Sequence, residues 1–569
     1  MGFRHVDHAT SANNTTVPLS FITSPARTFK AMSPANNIMK LIPPASLISR
    51  MLLPAVLLMA VPLPAQTGKD YLPYYSMELD NPILKKRLET QGGIVTADDA
   101  DGKPCLKVEI SGGRNTKRIT IPITARGVEI LATGKVRGTA INNVAQNYNG
   151  LKFQLYYQAA EGGKTHQDAA NLRGTFPWAD MGVIAYIPED AQAAALTIGL
   201  EACEGTGFFR DIEIKTRKVN ARKTATLLAP EKLTYNKTIL RGMMSPNQYN
   251  EGDFEALKRY GANAIRWQLG QKPASINYQT WLAAELNDLE RALAAAHRNG
   301  IGVIIDLHAL PGGRLPDGTL NLVLEQAPQD EFIAVWETIV RRFKDAPALC
   351  AYDLLNEPVQ TRPSPSSLEN WLGIQIKAAK AIRAIDPRTP VIIETDQWNA
   401  AQPFKWLEPV DIPNVIYSVH MYWPGTYTHQ GVRTDQGIAK DKNLKNSALH
   451  YPGVIDGRQV DKEALRRYLA PVREFQRANN ARIYVGEFSA IRWAPGAAQY
   501  LDDCISIFEE YGWDWTYHAF REWPGWSVEH ENEPYDIRNH TRATSPTDRL
   551  QVLLKYFSKN RPFSREPGK

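Results

Sequence analysis

Two periodicities divide the chain. From about residue 70 to 218, apolar and polar positions alternate in short runs. Examples are Leu106-Lys107-Val108-Glu109-Ile110, Ile119-Thr120-Ile121-Pro122-Ile123, Lys152-Phe153-Gln154-Leu155-Tyr156 and Ile212-Glu213-Ile214. A side-chain period of two sends alternate residues to opposite faces, so each run reads as a half-buried strand. Gly and Asn/Asp clusters separate the runs, and no long helical period intervenes. The pattern predicts an all-β, jelly-roll-like sandwich over residues 70–218. Residues 219–235 are basic and irregular and read as a linker, a solvated tether between two folded units.

From 236 to 560 uniformly apolar segments alternate with amphipathic ones. Strands are predicted at 238–244, 264–269, 302–308, 350–356, 391–395, 415–420, 482–487 and 513–520. Helical stretches include 281–298, 330–343, 368–385, 462–477, 497–511 and 547–557. Continuous apolar strands belong to parallel sheets covered on both faces. Eight of them alternating with helices predict an α/β fold, a (β/α)8 TIM barrel. An open doubly wound sheet is the alternative, but no Gly-x-Gly-x-x-Gly fingerprint follows the first strand. Segments 310–327 and 424–459 follow the third and sixth strands, on the face where barrel enzymes keep their sites, and are expected to shape or cover a cleft.

The 569 residues are 43% hydrophobic and 22% charged, a soluble composition with room for more than one core. The apolar run at 51–61 is too short for a membrane span and contains Pro54. Lys40 and Arg50 precede it and Leu63-Pro64-Ala65 follows. That layout predicts a signal peptide at 39–65 starting at Met39, with 1–38 an upstream extension. The mature chain is then expected to be secreted, extracellular or periplasmic, with no membrane partner after cleavage. The first 65 residues hold five basic groups and one acid, so removing them takes the net charge from +6 to +2. Nothing in that balance calls for nucleic acid. Cys105, Cys203, Cys350 and Cys504 form no Cys-x-x-Cys pair, which argues against a zinc or redox site. Export permits a Cys105–Cys203 disulfide.

The fourth strand runs into Asp353-Leu354-Leu355-Asn356-Glu357-Pro358 and the seventh ends Val485-Gly486-Glu487-Phe488. Side chains at the C-terminal edge of a barrel converge on its central cleft. Two carboxyl groups flanking a glycosidic bond are what its cleavage requires; about 5–5.5 Å apart, one is a nucleophile and configuration is retained. Arg266 ends the second strand and is placed to hold a carboxylate ionised. His308 ends the third strand; His420 and Tyr422 end the sixth, where a tyrosine hydroxyl can hydrogen-bond the nucleophile. Asp306 reads as a brace of the barrel interior. Tryptophans at the same rim (398, 423, 493, 515, 523 and 526) offer flat surfaces for sugar C–H faces. No cofactor is implied.

Asn356-Glu357-Pro358, Glu487-Phe488, Ile305-Asp306-Leu307-His308 and His420-Met421-Tyr422 resemble the signatures of glycoside hydrolase family 5, in clan A, across residues 238–558. The resemblance implies a retaining hydrolase of β-glycosidic bonds in a polysaccharide or oligosaccharide, cellulase-like on a β-glucan. It makes Glu357 the acid/base and Glu487 the nucleophile. Asn356 would contact the sugar 2-hydroxyl, with Arg266, His308, His420 and Tyr422 in supporting positions. A β-mannanase, another β-glycosidase, a transglycosylase and a non-catalytic sugar-binding barrel are the alternatives. The family places a tryptophan late in the eighth strand, where this chain has His518; Trp523, in the next loop, is the expected substitute. Residues 195–200 and 205–212 resemble carbohydrate-binding modules of families 4 and 9, with Tyr156, Tyr157 and Trp178 as candidate platforms.

Overall fold

The computed structural model describes residues 70–565, apart from 80–85, 87, 89–93, 99–101, 147, 159–163, 169–171, 220–225, 235–238, 271, 435–436, 439–447 and 534–539. The predicted extension at 1–38 and signal peptide at 39–65 lie outside the described residues. Among those described, no helix is long and apolar enough to cross a membrane.

The first part is built of antiparallel strands: β1 (Leu72–Ser76), β2 (Ile94–Asp98), β3 (Pro104–Pro122), β4 (Val128–Asn142), β5 (Gly150–Gln158), β6 (Lys164–Asp168), β7 (Gly174–Ile187) and β8 (Ala193–Lys218). β8 organises them. It pairs with β3 on one side, while its first half pairs with β5 and its second half with β4. The sheet thereby divides into two layers over one core. Phe153 of β5 and Ile212 of β8 crowd Gly134 of β4 so closely that a Cβ there would lie 2.9 and 2.5 Å from them. Tyr157 belongs to this buried core and is no sugar platform. The register also separates the two cysteines. Cys105 adjoins the Leu106–Phe209 pair, whereas Cys203 faces Asn115. That distance along β3 is roughly 30 Å at the rise of a strand, against the about 4–7 Å between Cα atoms that a disulfide spans.

The second part is a closed parallel barrel of β9 (Arg241–Met244), β10 (Ala264–Gln268), β11 (Gly302–Asp306), β12 (Leu349–Asp353), β13 (Val391–Glu394), β14 (Val415–Met421), β19 (Arg482–Phe488) and β20 (Asp514–Tyr517). Two small hairpins, β15–β16 (Arg433–Thr434, Gly437–Ile438) and β17–β18 (Gly453–Ile455, Arg458–Val460), lie in the segment after β14. Every barrel strand is observed where apolar patterning predicts it, six of them shorter than predicted and β14 and β19 one residue longer. Asn356 and Glu357 consequently lie beyond β12 rather than in it. Helices Glu251–Tyr260, Tyr278–Asn299, Gln326–Phe343, Trp371–Ile385, Lys462–Asn479, Ala497–Tyr511 and Asp548–Phe557 surround the barrel. The tail runs past the predicted boundary at 560: Phe563 packs beneath Gly302 and its N–H donates to Gly300.

Inside the barrel, side chains alternate in layers. Leu240, Ala264, Ile304, Ala351, Ile392, Ile416 and Tyr484 form an apolar plug at one level. Two residues further along their strands come Arg266, Asp306, Asp353, Glu394 and Ser418, all completely buried. The period of two that buries the plug thus also aligns a polar layer directly beneath the cleft.

The described part of the linker is docked, not a free tether. Leu228 exchanges hydrogen bonds with Arg477, and the Thr234 N–H donates to Asn480. The sandwich itself docks on loops after β12 and β13. Ile184 donates to the Thr361 carbonyl, Tyr186 stacks on Trp406 at 4.6 Å, and buried Arg217 links Glu129 to Glu408 at 3.1 Å each.

Candidate active site

Glu487 is aimed by a bulge. β14 and β19 pair in register through Val419–Val485; the next pair is His420–Glu487, with Gly486 the extra residue. Alternation from Tyr484 would turn position 486 inward, and the bulge gives that orientation to Glu487 instead. Gly486 has to be glycine at this approach, because a Cβ would stand 2.9 Å from both His420 Nε2 and Ser418 Oγ.

Both oxygens of Glu487 are occupied. Arg266 Nη1 donates to Oε1 at 2.7 Å, and the Tyr422 hydroxyl donates to Oε2 at 2.8 Å. Burial would raise this carboxyl, but His420, His518, Arg266 and His308 outweigh it and hold Glu487 well below the usual carboxylate range. Arg266 is completely buried against Asp306, Asp353, Glu394 and Glu487 and also donates to Asn356 at 2.9 Å. Burial disfavours its charge and these carboxylates more than restore it. In the same layer, burial and the negative Glu394 push Asp353 far up, despite Arg266.

Glu357 sits at a positive φ of 49° and is partly exposed. Its N–H donates to Glu394 at 2.6 Å, and His420 Nδ1 lies 3.0 Å from its Oε1. An oxygen of Glu357, an oxygen of Glu487 and a nitrogen of His420 all lie within 4.8 Å of one another. Among the described residues these are the donors close enough to share a metal ion. Arg266 and Tyr422 already fill the Glu487 oxygens, and that occupancy suits a bare carboxylate better than a metal ligand.

The remaining sequence-predicted residues are distributed as follows. His308 Nδ1 is 3.0 Å from Asp306, a contact the sequence did not predict, and its Nε2 is 3.4 Å from the Asn356 amide nitrogen. His308, Trp398, His420 and Tyr422 line a cleft of about 600 Å³ with the two glutamates. Trp398 is 49% exposed there, on a turn in which residues 397–399 all have positive φ. Trp523 is not among the residues lining this cleft; Trp526, with its ring centre 5.4 Å from that of Trp523 in an edge-on arrangement, lines it instead. Trp493 and Trp515 are packing residues, 1% and 0% exposed, while Trp423 stacks on Tyr468 at the cleft edge. Sequence reasoning missed Glu394, Gln397, His429, Tyr468 and Glu522. For Glu394 a signal existed: it is an acid closing the apolar strand Val391–Glu394, as Glu487 closes another.

The chain matches the family profile described as Cellulase (glycosyl hydrolase family 5) over residues 229–522. It is 28% identical over 258 residues to endoglucanase C of Acetivibrio thermocellus, covering 41% of this chain and 72% of that one. It is 23% identical over 204 residues to cellodextrinase A of Ruminococcus flavefaciens, covering 35% and 59%. A mutant form of Thermotoga maritima Cel5A in complex with cellobiose aligns at 23% identity with a TM-score of 0.43, covering 58% of this chain and 100% of that one.

Proposed function

The chain belongs to glycosyl hydrolase family 5, the cellulase family, and on that footing we propose that Glu357 and Glu487 cleave a β-glucan by double displacement. The enzyme is a retaining glycoside hydrolase. Glu357 protonates the leaving oxygen while ionised Glu487 attacks the anomeric carbon and forms a glycosyl ester. After the leaving group departs, Glu357 takes a proton from water, which attacks the same carbon and releases Glu487. The observation that carries this reading is that an oxygen of Glu357 and an oxygen of Glu487 approach to within 4.8 Å, a closeness that favours the short carboxyl spacing of a retaining enzyme over the wider one of an inverting enzyme. The endoglucanase relative supports a β-glucan as substrate.

NMR of the first-formed anomer tests the mechanism: retained configuration is expected, and an inverted product would rule out Glu487 as nucleophile. Glu357→Ala is expected to abolish hydrolysis of polysaccharide yet spare formation of the glycosyl-enzyme from a dinitrophenyl glycoside. Reducing-sugar release across β-glucans and β-mannans identifies the polymer; a response to mannans alone overturns the β-glucan assignment. We also read residues 39–65 as an export signal on their charge and apolar layout. N-terminal sequencing of the secreted protein is expected to begin near Gln66. Likeness of the sandwich to carbohydrate-binding modules makes it a candidate sugar-binding domain, with Tyr156 and Trp178 as its candidate contacts; pull-down on insoluble cellulose tests it, and no retention counts against it.

A further inference from the structure

His518 stands where the family carries a tryptophan, and its surroundings give it different work. Its Nε2 lies 2.6 Å from Glu522 Oε2. Its Nδ1 meets the Tyr422 hydroxyl and lies 3.5 Å from Glu487 Oε2. Tyrosine has one O–H to donate, and here that hydrogen goes to Glu487. The Tyr422 oxygen can then only accept from His518, which requires a proton on Nδ1. The carboxylate of Glu522 requires a second proton, on Nε2. Both ring nitrogens are donors only in an imidazolium.

We propose that His518, held as an imidazolium by Glu522, is a positioning residue that keeps the Tyr422 hydrogen on Glu487, and that its deprotonation switches this hydrogen bond off. A neutral His518 that keeps Nε2–H on Glu522 presents a bare Nδ1. Tyr422 then donates to that nitrogen instead, and Glu487 loses the bond. The inference rests on Glu487 being the nucleophile.

The charged neighbours agree. Glu522 comes from the loop after β20, Glu487 from β19, Tyr422 and His429 from the segment after β14, Arg266 from β10 and His308 from the turn after β11. Burial lowers the His518 imidazole, but Glu522 and then Glu487 outweigh it, so it is raised above the usual histidine value. Cationic His518 in turn holds Glu522 below its ordinary value against burial, and it lowers His429 alongside burial. A raised histidine is charged at low pH and loses its proton as pH rises through the folded value. The switch therefore acts on the alkaline side.

The test is the pH profile of kcat/KM on 2,4-dinitrophenyl β-cellobioside, whose leaving group needs no proton from Glu357. The wild-type enzyme should retain an alkaline fall. Glu522→Gln should move that fall to lower pH by about one unit or more, since it removes the opposite charge. His518→Gln keeps a donor but cannot titrate; it should abolish the fall, with a neutral-pH rate within about tenfold of wild type. An alkaline fall at the same pH in all three proteins overturns the inference. Imidazole 15N NMR gives a readout independent of activity: both His518 nitrogens should be protonated at pH 7, and a neutral ring there overturns it too. Trapping with a 2-deoxy-2-fluoro cellobioside separates the two readings. An ester on Glu487 with an unmoved alkaline fall sinks the His518 role alone, whereas failure to form that ester sinks the nucleophile on which it rests.

Discussion

Glu394 Oε2 accepts the backbone N–H of Glu357 at 2.6 Å, so a carboxylate at the end of β13 fixes the backbone of Glu357 in the loop after neighbouring β12. The same side chain holds Arg266 at 3.0 Å. Glu394→Ala is expected to lower kcat/KM by about a hundredfold, the scale of a small misplacement of a reacting group. Glu394→Gln keeps an acceptor oxygen and should lose less. Steady-state kinetics on an aryl cellobioside decides the matter; equal rates in both variants and wild type would show that Glu357 is positioned by something else.

Gly486→Ala puts a methyl group 2.9 Å from His420 Nε2 and Ser418 Oγ. Overpacking of this kind costs about 1–3 kcal/mol. The strain falls on the histidine between the two glutamates, so activity should drop at least tenfold, about 1.4 kcal/mol in the barrier. Circular dichroism should remain that of a folded barrel. Full activity in a folded variant would mean that His420 can move without consequence.

Trp398 is 49% exposed on the cleft wall with the Arg314 guanidinium 4.9 Å from its ring centre. It touches neither reacting carboxylate in the hydrogen-bond network, so Trp398→Ala should act on binding. KM is expected to rise about three- to tenfold with kcat nearly unchanged. A fall in kcat at constant KM contradicts that placement.

Asp396 opens the turn that presents Trp398 and accepts the Gln360 N–H at 2.9 Å. Burial pushes its carboxyl up to about 7, against backbone hydrogen bonds from Gln397 and Gln360. The folded chain thus binds this proton more tightly than the unfolded chain does. Its contribution to stability is unpenalised below about pH 4, declines as pH rises through 7, and is flat above. Asp396→Asn should therefore narrow the difference in Tm between pH 5 and pH 8. Calorimetry at the two pH values measures it, and an unchanged difference refutes the shift.

Arg217 lies between Glu129 of the sandwich and Glu408 of the barrel, 8% exposed. Removing one partner of a buried ion pair costs about 3–5 kcal/mol because the other charge is stranded. Arg217→Met should lower Tm by several degrees and pull the calorimetric transition toward two components as sandwich and barrel part. A single transition at the wild-type Tm would show that the interface does not depend on this arginine.

The sequence by itself determined the things that depend on near neighbours. Alternation with period two marks β3, β5 and β8, and apolar runs broken by amphipathic helices mark all eight barrel strands, because both are properties of a few consecutive residues. Strand ends fall at the C-terminal edge in any barrel, so Glu357 and Glu487 were legible together with Arg266, His308, His420 and Tyr422. Tertiary structure decided what depends on convergence. Glu394 matters because Arg266 and the Glu357 N–H, both distant in sequence, arrive at its two oxygens. Tyr157 is core because packing of one layer of the sandwich on another, not residue type, chooses which ring is covered, and Trp526 rather than Trp523 lines the cleft because the course of the loop after β20 decides which of its rings reaches it. The Gly486 bulge is invisible to any pattern, since a single inserted residue leaves the composition of the strand intact while turning Glu487 around. His518 is the sharpest case. As a letter it was only a missing tryptophan; its charge and its hold on Tyr422 exist because β14, β19 and the loop after β20 bring Tyr422, Glu487 and Glu522 within reach of one ring.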